Sequence, residues 1–377
     1  ISYGVESTYN YNYSKAYDQT LEIEGNQVTG LGKKLAIPTR YPSNGSSYTS
    51  FASYVNWSWN MSEFFTFNVG TRLTFTGLKA SWNDVISVNP QLSEVNLNSK
   101  ALTTTVSIKL RPSKRVQINT VLSSGFRNPN IDDIGKIREN NGLLVVPNTF
   151  LKPEYAYNLD LGFDFRSLNN TNFISLRGFS TIISRHIGRD EYVVFSDITT
   201  PDLSTIIYNG EEVTTISNKN LGNRFIHGFS IDGFSKIMSN LKLDYALTYT
   251  RGDNNDTYGP LPSISPLFGS IALSYSKRGL NLRAVYKFSE AKNPSEYSFG
   301  GEDGLDETPF IVNSEGLLTY LGTPKWSDLS IYGSKNISSN VTLRIGLTNV
   351  FDSHYRTFAS GISAPGRSFQ VGLNLKL

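Results

Sequence analysis

The chain of 377 residues contains no cysteine. This absence excludes a disulfide framework, a thiol nucleophile and a thiolate metal site. The three histidines do not occur in a His-x-x-x-His or other metal-binding spacing, so no metal site is predicted. No apolar run approaches the roughly 18 residues that a membrane-spanning helix needs. The net charge of +3, without a dense Lys/Arg run, does not indicate a nucleic-acid partner.

Aromatic residues, by contrast, are abundant, with 21 Tyr, 22 Phe and 4 Trp in a chain whose mean hydropathy is only −0.27. Such enrichment is expected where Tyr and Trp form girdles at both membrane interfaces of a barrel. Composition alone leaves open an aromatic-rich soluble β-sandwich. The order of the residues along the chain is therefore needed to choose between the two.

Apolar and polar residues alternate in many short stretches, which is the period of a β-strand. In the stretch 241–251, five apolar side chains at odd positions alternate with Lys242, Asp244, Ala246, Thr248 and Thr250. Strands of about ten residues with one apolar and one polar face suit a barrel that has lipid outside and water inside. The alternation therefore favours an all-β, antiparallel transmembrane β-barrel.

We predict about fourteen strands, near 1–12, 51–60, 64–77, 99–110, 115–124, 155–166, 173–184, 222–236, 241–251, 264–277, 280–289, 325–336, 341–350 and 367–377. The connections are alternately short and long, which is the topology of an outer-membrane barrel with brief turns at one end and large external loops at the other. A soluble sandwich has no reason to segregate loop length in this way. The predicted localisation is the bacterial outer membrane, with lipid as one partner.

Seven charged residues within these strands fall on the polar positions. An Arg or Lys that faced lipid at the midplane would cost on the order of 2–4 kcal/mol. We therefore expect the following residues to face the lumen: Arg72, Arg166, Lys242, Asp244, Arg283, Lys287 and Arg344.

Four stretches resemble the β-barrel of TonB-dependent outer-membrane receptors. Ser123–Ile137 (SSGFRNPNIDDIGKI) is similar to the FRxP box of that family, and Val146–Phe165 to its NPxLKPE segment. Leu347–Leu375 resembles the closing hairpin, and Leu221–Asp232 a recurring strand start. The amino-acid sequence of Ser123–Phe165 is most similar to that of receptors from Bacteroidetes-type bacteria outside the SusC branch. The chain departs from many such barrels at its last residue, Leu377, where they have an aromatic.

The resemblance implies a 22-stranded barrel around an N-terminal plug domain and a TonB energy-transducing partner. No plug-like segment or TonB box is recognisable here, and the chain begins inside a strand-like segment without a signal peptide. We therefore interpret residues 1–377 as one domain, the C-terminal part of a receptor barrel whose plug lies outside this chain. Unpaired strand edges are not tolerated in lipid. Either further strands exist, which we favour, or the first and last strands close a smaller barrel.

The motif residues are expected to have structural roles at the barrel rim and against the plug. They are Phe126, Arg127, Pro129, Leu151, Pro153, Glu154, Asn349, Phe351, Asp352, Tyr355, Gly366 and Arg367.

No sequence feature indicates catalysis, because no nucleophile motif, phosphate loop or triad context is present. The expected mechanism is binding and gating without a cofactor. External loops rich in Tyr, Arg and Asn suit a bulky anionic iron complex, most of all a ferric siderophore. The candidate ligand-binding residues are Arg127, Arg138, Arg185, His186, Arg189, Tyr192, Arg251, Tyr258 and Tyr297.

The sequence leaves other functions open. Haem and cobalamin receptors belong to the same family, although residues 128–152 lack the histidine that haem receptors typically carry between the FRxP and NPxL segments. A passive porin would lack the plug. A barrel lipase or protease is disfavoured by the missing catalytic residues.

Overall fold

The computed structural model describes residues 1–37, 39, 41–83, 94–140, 142–193, 205–208, 210–255, 259–314 and 316–376, with side chains 254 and 255 excepted. Within this part of the chain, no helix is both long and apolar enough to cross a membrane. The described strands are β1 (Ser2–Asn12), β2 (Ala16–Glu24), β3 (Gln27–Ile37), β4 (Ser46–Asn60), β5 (Phe65–Ser81), β6 (Glu94–Ser113), β7 (Val116–Arg127), β8 (Arg138–Asn140), β9 (Leu143–Val145), β10 (Glu154–Arg166), β11 (Asn172–Ser184), β12 (Ile187–Glu191), β13 (Thr205–Tyr208), β14 (Glu211–Asn220), β15 (Arg224–Met238), β16 (Leu241–Gly252), β17 (Asn254–Asn255), β18 (Gly259–Pro260), β19 (Phe268–Lys277), β20 (Leu280–Ser289), β21 (Phe310–Val312), β22 (Leu318–Tyr320), β23 (Trp326–Asn336), β24 (Val341–Thr348) and β25 (Ser368–Leu375).

Fourteen of these strands form one antiparallel sheet, in the order β1-β4-β5-β6-β7-β10-β11-β15-β16-β19-β20-β23-β24-β25. Each of the fourteen predicted strands is present, so the predicted strand number and order are confirmed. At the loop end, two strands are longer than predicted. β5 ends later, at Ser81, and β6 begins earlier, at Glu94. Adjacent strands of this sheet follow one another in chain order, because each pair is connected as a hairpin, with either a short turn or a long loop.

The connections segregate by length to the two ends of the sheet. Short turns join β4 to β5, β10 to β11 and β15 to β16 at one end, and the last of these spans only Ser239 and Asn240. The long connections all lie at the other end, here called the loop end. Among the described residues, no pairing joins β1 to β25, so both strands are open edges of the sheet.

The two faces of the sheet differ in chemistry. Phe75, Leu102 and Leu122 lie on one face and remain 46%, 63% and 54% exposed. The other face carries the charged residues predicted for the lumen, among them Arg72 and Asp244. Leu78, which shares this second face with Arg72, packs in the hydrophobic cluster formed with the loops, so this face is the inner one. The bare apolar face is outer, and its continuous extent is typical of a lipid-facing surface.

A smaller sheet, formed by β8, β9, β12, β13 and β14, is built from two of the long connections at the loop end. It encloses a hydrophobic cluster with the tops of β5 and β6, which contribute Leu78 and Val95. The short helix α1 (Ile131–Gly135) adds Ile134, which is fully buried. Asn130 caps this helix, since its side chain accepts from the Asp133 backbone N–H while Asp133 accepts from the Asn130 N–H.

Within the described residues, the other loop elements are three hairpins and two turns of 3₁₀-helix. The strands β2 and β3 form an exposed hairpin, and β17–β18 and β21–β22 form smaller ones. The 3₁₀ turns Pro294–Glu296 and Leu305–Glu307 lie in the connection between β20 and β23. The periodicity of the long loops was too weak to predict these elements.

Candidate functional site

The FRxP-like and NPxLKPE-like motifs meet in a cluster of charged side chains at the loop end. Arg127 Nε donates to Glu154 Oε1 at 3.0 Å, and its Nη1 donates to both Asp133 oxygens at 3.0 and 3.1 Å. Glu154 Oε2 in turn accepts from the Ile187 backbone N–H at 2.7 Å. These bonds join the ends of β7 and β10 to α1 and to the start of β12. The role predicted for these motifs at the barrel rim and against the plug stays a prediction.

His186 completes this cluster instead of facing the solvent. Its side chain is buried, with Nδ1 3.4 Å from Glu154 Oε2. The neighbouring Arg185 points the other way, with its guanidinium 5.4 Å above the Tyr155 ring. Tyr155 belongs to the outer face of β10, since it pairs across the sheet with Phe126. Arg185 therefore lies outside the barrel wall.

The closing motif between β24 and β25 is held by its own side chains. Asn349 adopts a positive φ of 48°, and its Nδ2 donates to the carbonyls of Ser353 and Pro365 at 2.9 and 3.0 Å. Asp352 Oδ1 accepts from the Arg367 backbone N–H at 2.8 Å. A Cβ at Gly366 would stand 3.2 Å from that same oxygen, a tight contact. Phe351, by contrast, is exposed.

Tyr355 anchors this loop to the barrel. Its ring stacks on Trp326 at the start of β23, with centroids 4.4 Å apart and an interplanar angle of 15°. Such stacking adds about 0.5–1.5 kcal/mol beyond the burial of area. Burial, and then the nearby Asp328, raise the pKa of the Tyr355 phenol. The Tyr355 phenol is therefore protonated at neutral pH.

A first cavity, the loop-sheet cavity, has a volume of about 490 Å³ and lies between the smaller sheet and residues 298–307. Arg138 on β8 and Arg189 on β12 both line it, together with Phe299 and Tyr320. Arg189 Nη1 donates to the Gly300 carbonyl at 2.5 Å, which holds the side chain in place, and Arg189 Nε is 3.5 Å from Glu302 Oε1. The cavity thus combines cationic and aromatic groups.

A second cavity, the closing-loop cavity, has a volume of about 620 Å³ and is lined by Lys325, His354 and Arg356. It adjoins the loop-sheet cavity, since both are lined by Asp303, Gly304, Asp306, Glu307 and Ala359. Arg356 donates to the Glu307 carbonyl at 2.9 Å, and His354 Nε2 lies 3.1 Å from Ser363 Oγ. Each volume is in the range of small-molecule sites.

A buried pair supports the wall that the two cavities share. Lys292 and Asp303 are 4% and 3% exposed, with Nζ and Oδ2 3.6 Å apart. The Lys292 ammonium also lies 4.1 Å from the centroid of Phe358. Burial lowers the pKa of Lys292 and raises that of Asp303, while each charge partly opposes the effect on the other. Tyr297, which bonds Thr323 through its hydroxyl at 2.6 Å, closes this cluster.

The structure thus brings together only some of the predicted ligand-binding residues. Arg138 and Arg189 share one cavity, whereas Arg127 and His186 belong to the motif cluster. Arg185 and Arg251 lie on the outer face, the latter paired in register with His227 on β15. Tyr297 is buried, and Tyr192 packs against the hydrophobic cluster of the smaller sheet. Tyr258 lies outside the described residues, as does Leu377.

Sequence reasoning missed the cavity residues Lys325, Arg356, Glu302 and Glu307. Of these four, Arg356 could have been predicted from the sequence, because it follows Tyr355 in a long, external connection. In the described part of the chain, no three or more His, Asp or Glu side chains cluster so that they could hold a metal ion.

Comparison with known proteins identifies the family. Residues 2–350 match the family model described as TonB dependent receptor-like, beta-barrel. The chain belongs to this family. The membership confirms the resemblance carried by the motifs, and it places this receptor barrel in the bacterial outer membrane, as predicted. The loop end of the sheet is accordingly extracellular.

Curated relatives of the receptor barrel include haemoglobin-binding protein A of Haemophilus influenzae. It is 25% identical over 297 residues, which are 74% of this chain and 27% of that protein. Haemoglobin-haptoglobin utilization protein B of Neisseria meningitidis is 25% identical over 66% of this chain and 31% of its own length. The chain spans about a quarter to a third of the length of these relatives.

Solved structures show the same fold at low sequence identity. The copper transporter OprC matches with a TM-score of 0.71 at 16% identity, covering all of this chain and 53% of that one. The siderophore receptor PiuA of Acinetobacter baumannii matches with a TM-score of 0.63 at 14% identity, covering 93% and 46%. The proteins named in these comparisons are binding proteins, receptors and transporters.

Proposed function

We propose that this chain is the barrel portion of an outer-membrane receptor that actively imports a bulky, scarce nutrient, most of all an iron complex such as a ferric siderophore. The observation that carries the proposal is the pair of adjoining cavities at the extracellular end of a family barrel, lined by Arg138, Arg189, Lys325 and Arg356 with aromatic neighbours. Iron complexes of catecholates are often anionic, and cationic and aromatic groups suit them.

The proposed mechanism is capture followed by gating, without covalent chemistry. An anionic ligand in the loop-sheet cavity would compete with Glu302 for Arg189, whose Nε is only 3.5 Å from that carboxylate. Arg138 is exposed and offers a second cation. Release into the lumen would require a plug domain, outside residues 1–377, and the pull of a TonB complex. Both partners follow from the family and are part of the proposal.

Residues 1–377 are, in this proposal, the C-terminal part of the barrel domain. The open edges β1 and β25 support it, because lipid does not tolerate unpaired strand edges. Strands outside this chain would cover them. The similarity of Ser123–Phe165 to Bacteroidetes-type receptors stays a prediction, and the relatives named above come from Haemophilus and Neisseria.

Haem is the second candidate ligand, because the curated relatives are named for binding haemoglobin. The structure restricts which histidine could coordinate haem iron. His186 is buried beside Glu154, and His227 lies on the outer face in register with Arg251. His354 lines the closing-loop cavity. A haem receptor would therefore depend on His354 or on a tyrosine such as Tyr320.

The test is growth of a deletion strain on single iron sources: a ferric catecholate, a ferric hydroxamate, haem and haemoglobin. The strain is complemented with the wild-type gene, with R138Q/R189Q or with H354A. We expect growth on one siderophore to be lost in the strain and reduced at least tenfold by R138Q/R189Q. The control R111Q/R115Q removes two arginines near a short turn and should restore full growth.

The outcomes separate the alternatives. Loss of growth on haem alone, and failure of H354A to restore it, would favour the haem receptor over the siderophore receptor. Equal growth of mutant and parent on every iron source would exclude iron import and favour cobalamin, a peptide or a sugar. Uptake that persists after the proton-motive force is collapsed would instead identify a porin.

A further inference from the structure

Ionisable side chains on the fourteen barrel strands are sorted by the sign of their charge. Within the fourteen barrel strands, every described carboxylate but one faces inward by strand register. The inward carboxylates are Glu6, Glu154, Asp160, Asp164, Asp232, Asp244 and Asp328. The exception is Glu94, the first residue of β6. The outer face is therefore almost free of negative charge over its whole described height.

Cations do occur on the outer face, but only near its two ends. Lys277 and Lys335 are outward beside the short turns, since both pair with Leu280, which shares its face with Leu282 and Tyr286. Near the loop end, the outward cations are Lys79, Lys100 and Arg251, and His227 pairs directly with Arg251. The described strands carry no outward Lys, Arg or His between these zones.

We define the upper cationic belt as Lys79, Lys100, Arg185, His227 and Arg251, all of which are exposed. Arg185 joins it through Tyr155, whose ring lies under the guanidinium and whose hydroxyl donates to the Lys100 carbonyl at 3.2 Å. Among the described residues, the four permanent cations of the belt make no ion pair within 4 Å. Glu290 and Glu296 line a groove beside Arg251, and they mark the end of the belt.

The height of the belt matches the outer boundary of the hydrocarbon layer. Arg251 lies ten residues beyond Leu241 at the turn end of β16, and Lys79 lies fourteen beyond Phe65. With a rise of about 3.3 Å per residue and a strand tilt of about 40°, these positions stand about 25 and about 35 Å above the turns. The apolar band of such barrels is about 25 Å tall. The belt therefore lies at the level of the outer-leaflet headgroups.

We propose that the upper cationic belt binds the phosphate groups of an anionic lipid headgroup in the outer leaflet. Lysine and arginine form charge-assisted hydrogen bonds with phosphate oxygens, and an arginine fork can engage two oxygens of one phosphate. Cations without an ion-pair partner at the edge of an apolar surface lie where they can bind headgroup phosphates. Tyr155 lies at the same depth, where aromatic residues are enriched. This site is on the outside of the barrel and is independent of the nutrient that the receptor imports.

The test uses the receptor expressed from its complete gene, purified in a neutral detergent and titrated with diphosphorylated lipid A. Bound lipid is counted by native mass spectrometry. The variant K100Q/R251Q removes two belt cations, and the control K277Q/K335Q removes two from the opposite end of the same face. Each cation near the surface contributes about fivefold to binding, so we expect the belt variant to bind about 25-fold more weakly and the control to bind as wild type does.

Two further arms identify the source of the phosphate. Lipid A with its phosphates removed should bind wild type no better than it binds the belt variant, and millimolar inorganic phosphate should not displace the phosphorylated lipid. Equal weakening in both double variants, or equal binding of phosphorylated and dephosphorylated lipid, would overturn the proposal. Displacement by inorganic phosphate would also overturn it, because the site would then hold free phosphate. Heat-modifiable gel mobility confirms that each variant is folded.

Discussion

Arg127 and Glu154 face each other on the neighbouring strands β7 and β10, with Arg127 Nε 3.0 Å from Glu154 Oε1. The second oxygen of the same carboxylate accepts from the backbone N–H of Ile187 at 2.7 Å. One side chain thus connects two barrel strands to the extracellular sheet. The position of the loop-sheet cavity depends on this connection, because Arg189 follows on the same strand as Ile187.

The substitution E154Q keeps the shape of this side chain and removes its charge. Hydrogen bonds to charged groups contribute about 1.5–3 kcal/mol each, so the attachment of β12 should weaken by about that amount. We expect hydrogen exchange at the Ile187 amide to accelerate at least tenfold. E63Q, which lies at a short turn, is the control and should leave that amide unchanged. An unchanged exchange rate in E154Q would show that the carboxylate does not hold β12.

The buried Lys292–Asp303 pair gives a second prediction. K292M removes the ammonium and leaves the Asp303 carboxylate uncompensated, a change that typically destabilises by about 3–5 kcal/mol. K292M/D303N removes both charges and should recover most of that loss. The measurement is the urea midpoint of the purified receptor, followed by tryptophan fluorescence. Equal stability of K292M and wild type would mean that solvent or another cation compensates Asp303.

The same pair predicts a dependence on pH. Burial raises the pKa of Asp303, so the folded state holds its proton more tightly than the unfolded state, whose pKa is about 3.9. The cost of the buried charge is therefore full above the folded pKa and disappears as the pH falls towards about 4. The stability deficit of K292M relative to K292M/D303N should be largest at neutral pH and shrink on acidification. A constant deficit from pH 4 to 8 would contradict this account.

The two faces of the barrel can be tested with adjacent residues on β16. Leu247 lies on the outer face and pairs with Ile231, whereas Ala246 lies on the inner face and pairs with Asp232. L247R places a cation in lipid and should cost about 2–4 kcal/mol of folding free energy in bilayers. A246R places the same group in the lumen and should cost less than about 1 kcal/mol. Similar costs for both would argue against lipid on the Leu247 face.

The open edges of the sheet lead to a cross-linking experiment that the cysteine-free sequence makes simple. Ser7 on β1 and Val371 on β25 both lie on the outer face near the middle of their strands. In the receptor expressed from its complete gene, the S7C/V371C pair should not form a disulfide, because further strands separate the two edges. Efficient disulfide formation would show that β1 and β25 close a smaller barrel. The control S7C/F51C, on residues that pair directly in register across β1 and β4, should form a disulfide and so confirms that the Ser7 position is accessible to oxidant.

The fourteen barrel strands were predictable because alternation is local: a side chain's face is decided by its position in the strand and by the cost of placing it in lipid or water. The outer position of Arg251 could have been read in the same way, since it continues the row of Leu247 and Tyr249. Its prediction as a ligand residue overlooked that parity. The small strands β8, β9 and β12 to β14 carry too few residues to show a period.

The sequence by itself determined the class of protein, the number and order of the barrel strands and the inner face of the seven charged residues predicted for the lumen, because these follow from period-two patterning against lipid. Only the tertiary structure decided that Arg138 and Arg189 share a cavity while His186 is buried beside Glu154. Those contacts join residues from separate loops. Their proximity depends on how the loops pack over the barrel, and no local pattern encodes that packing.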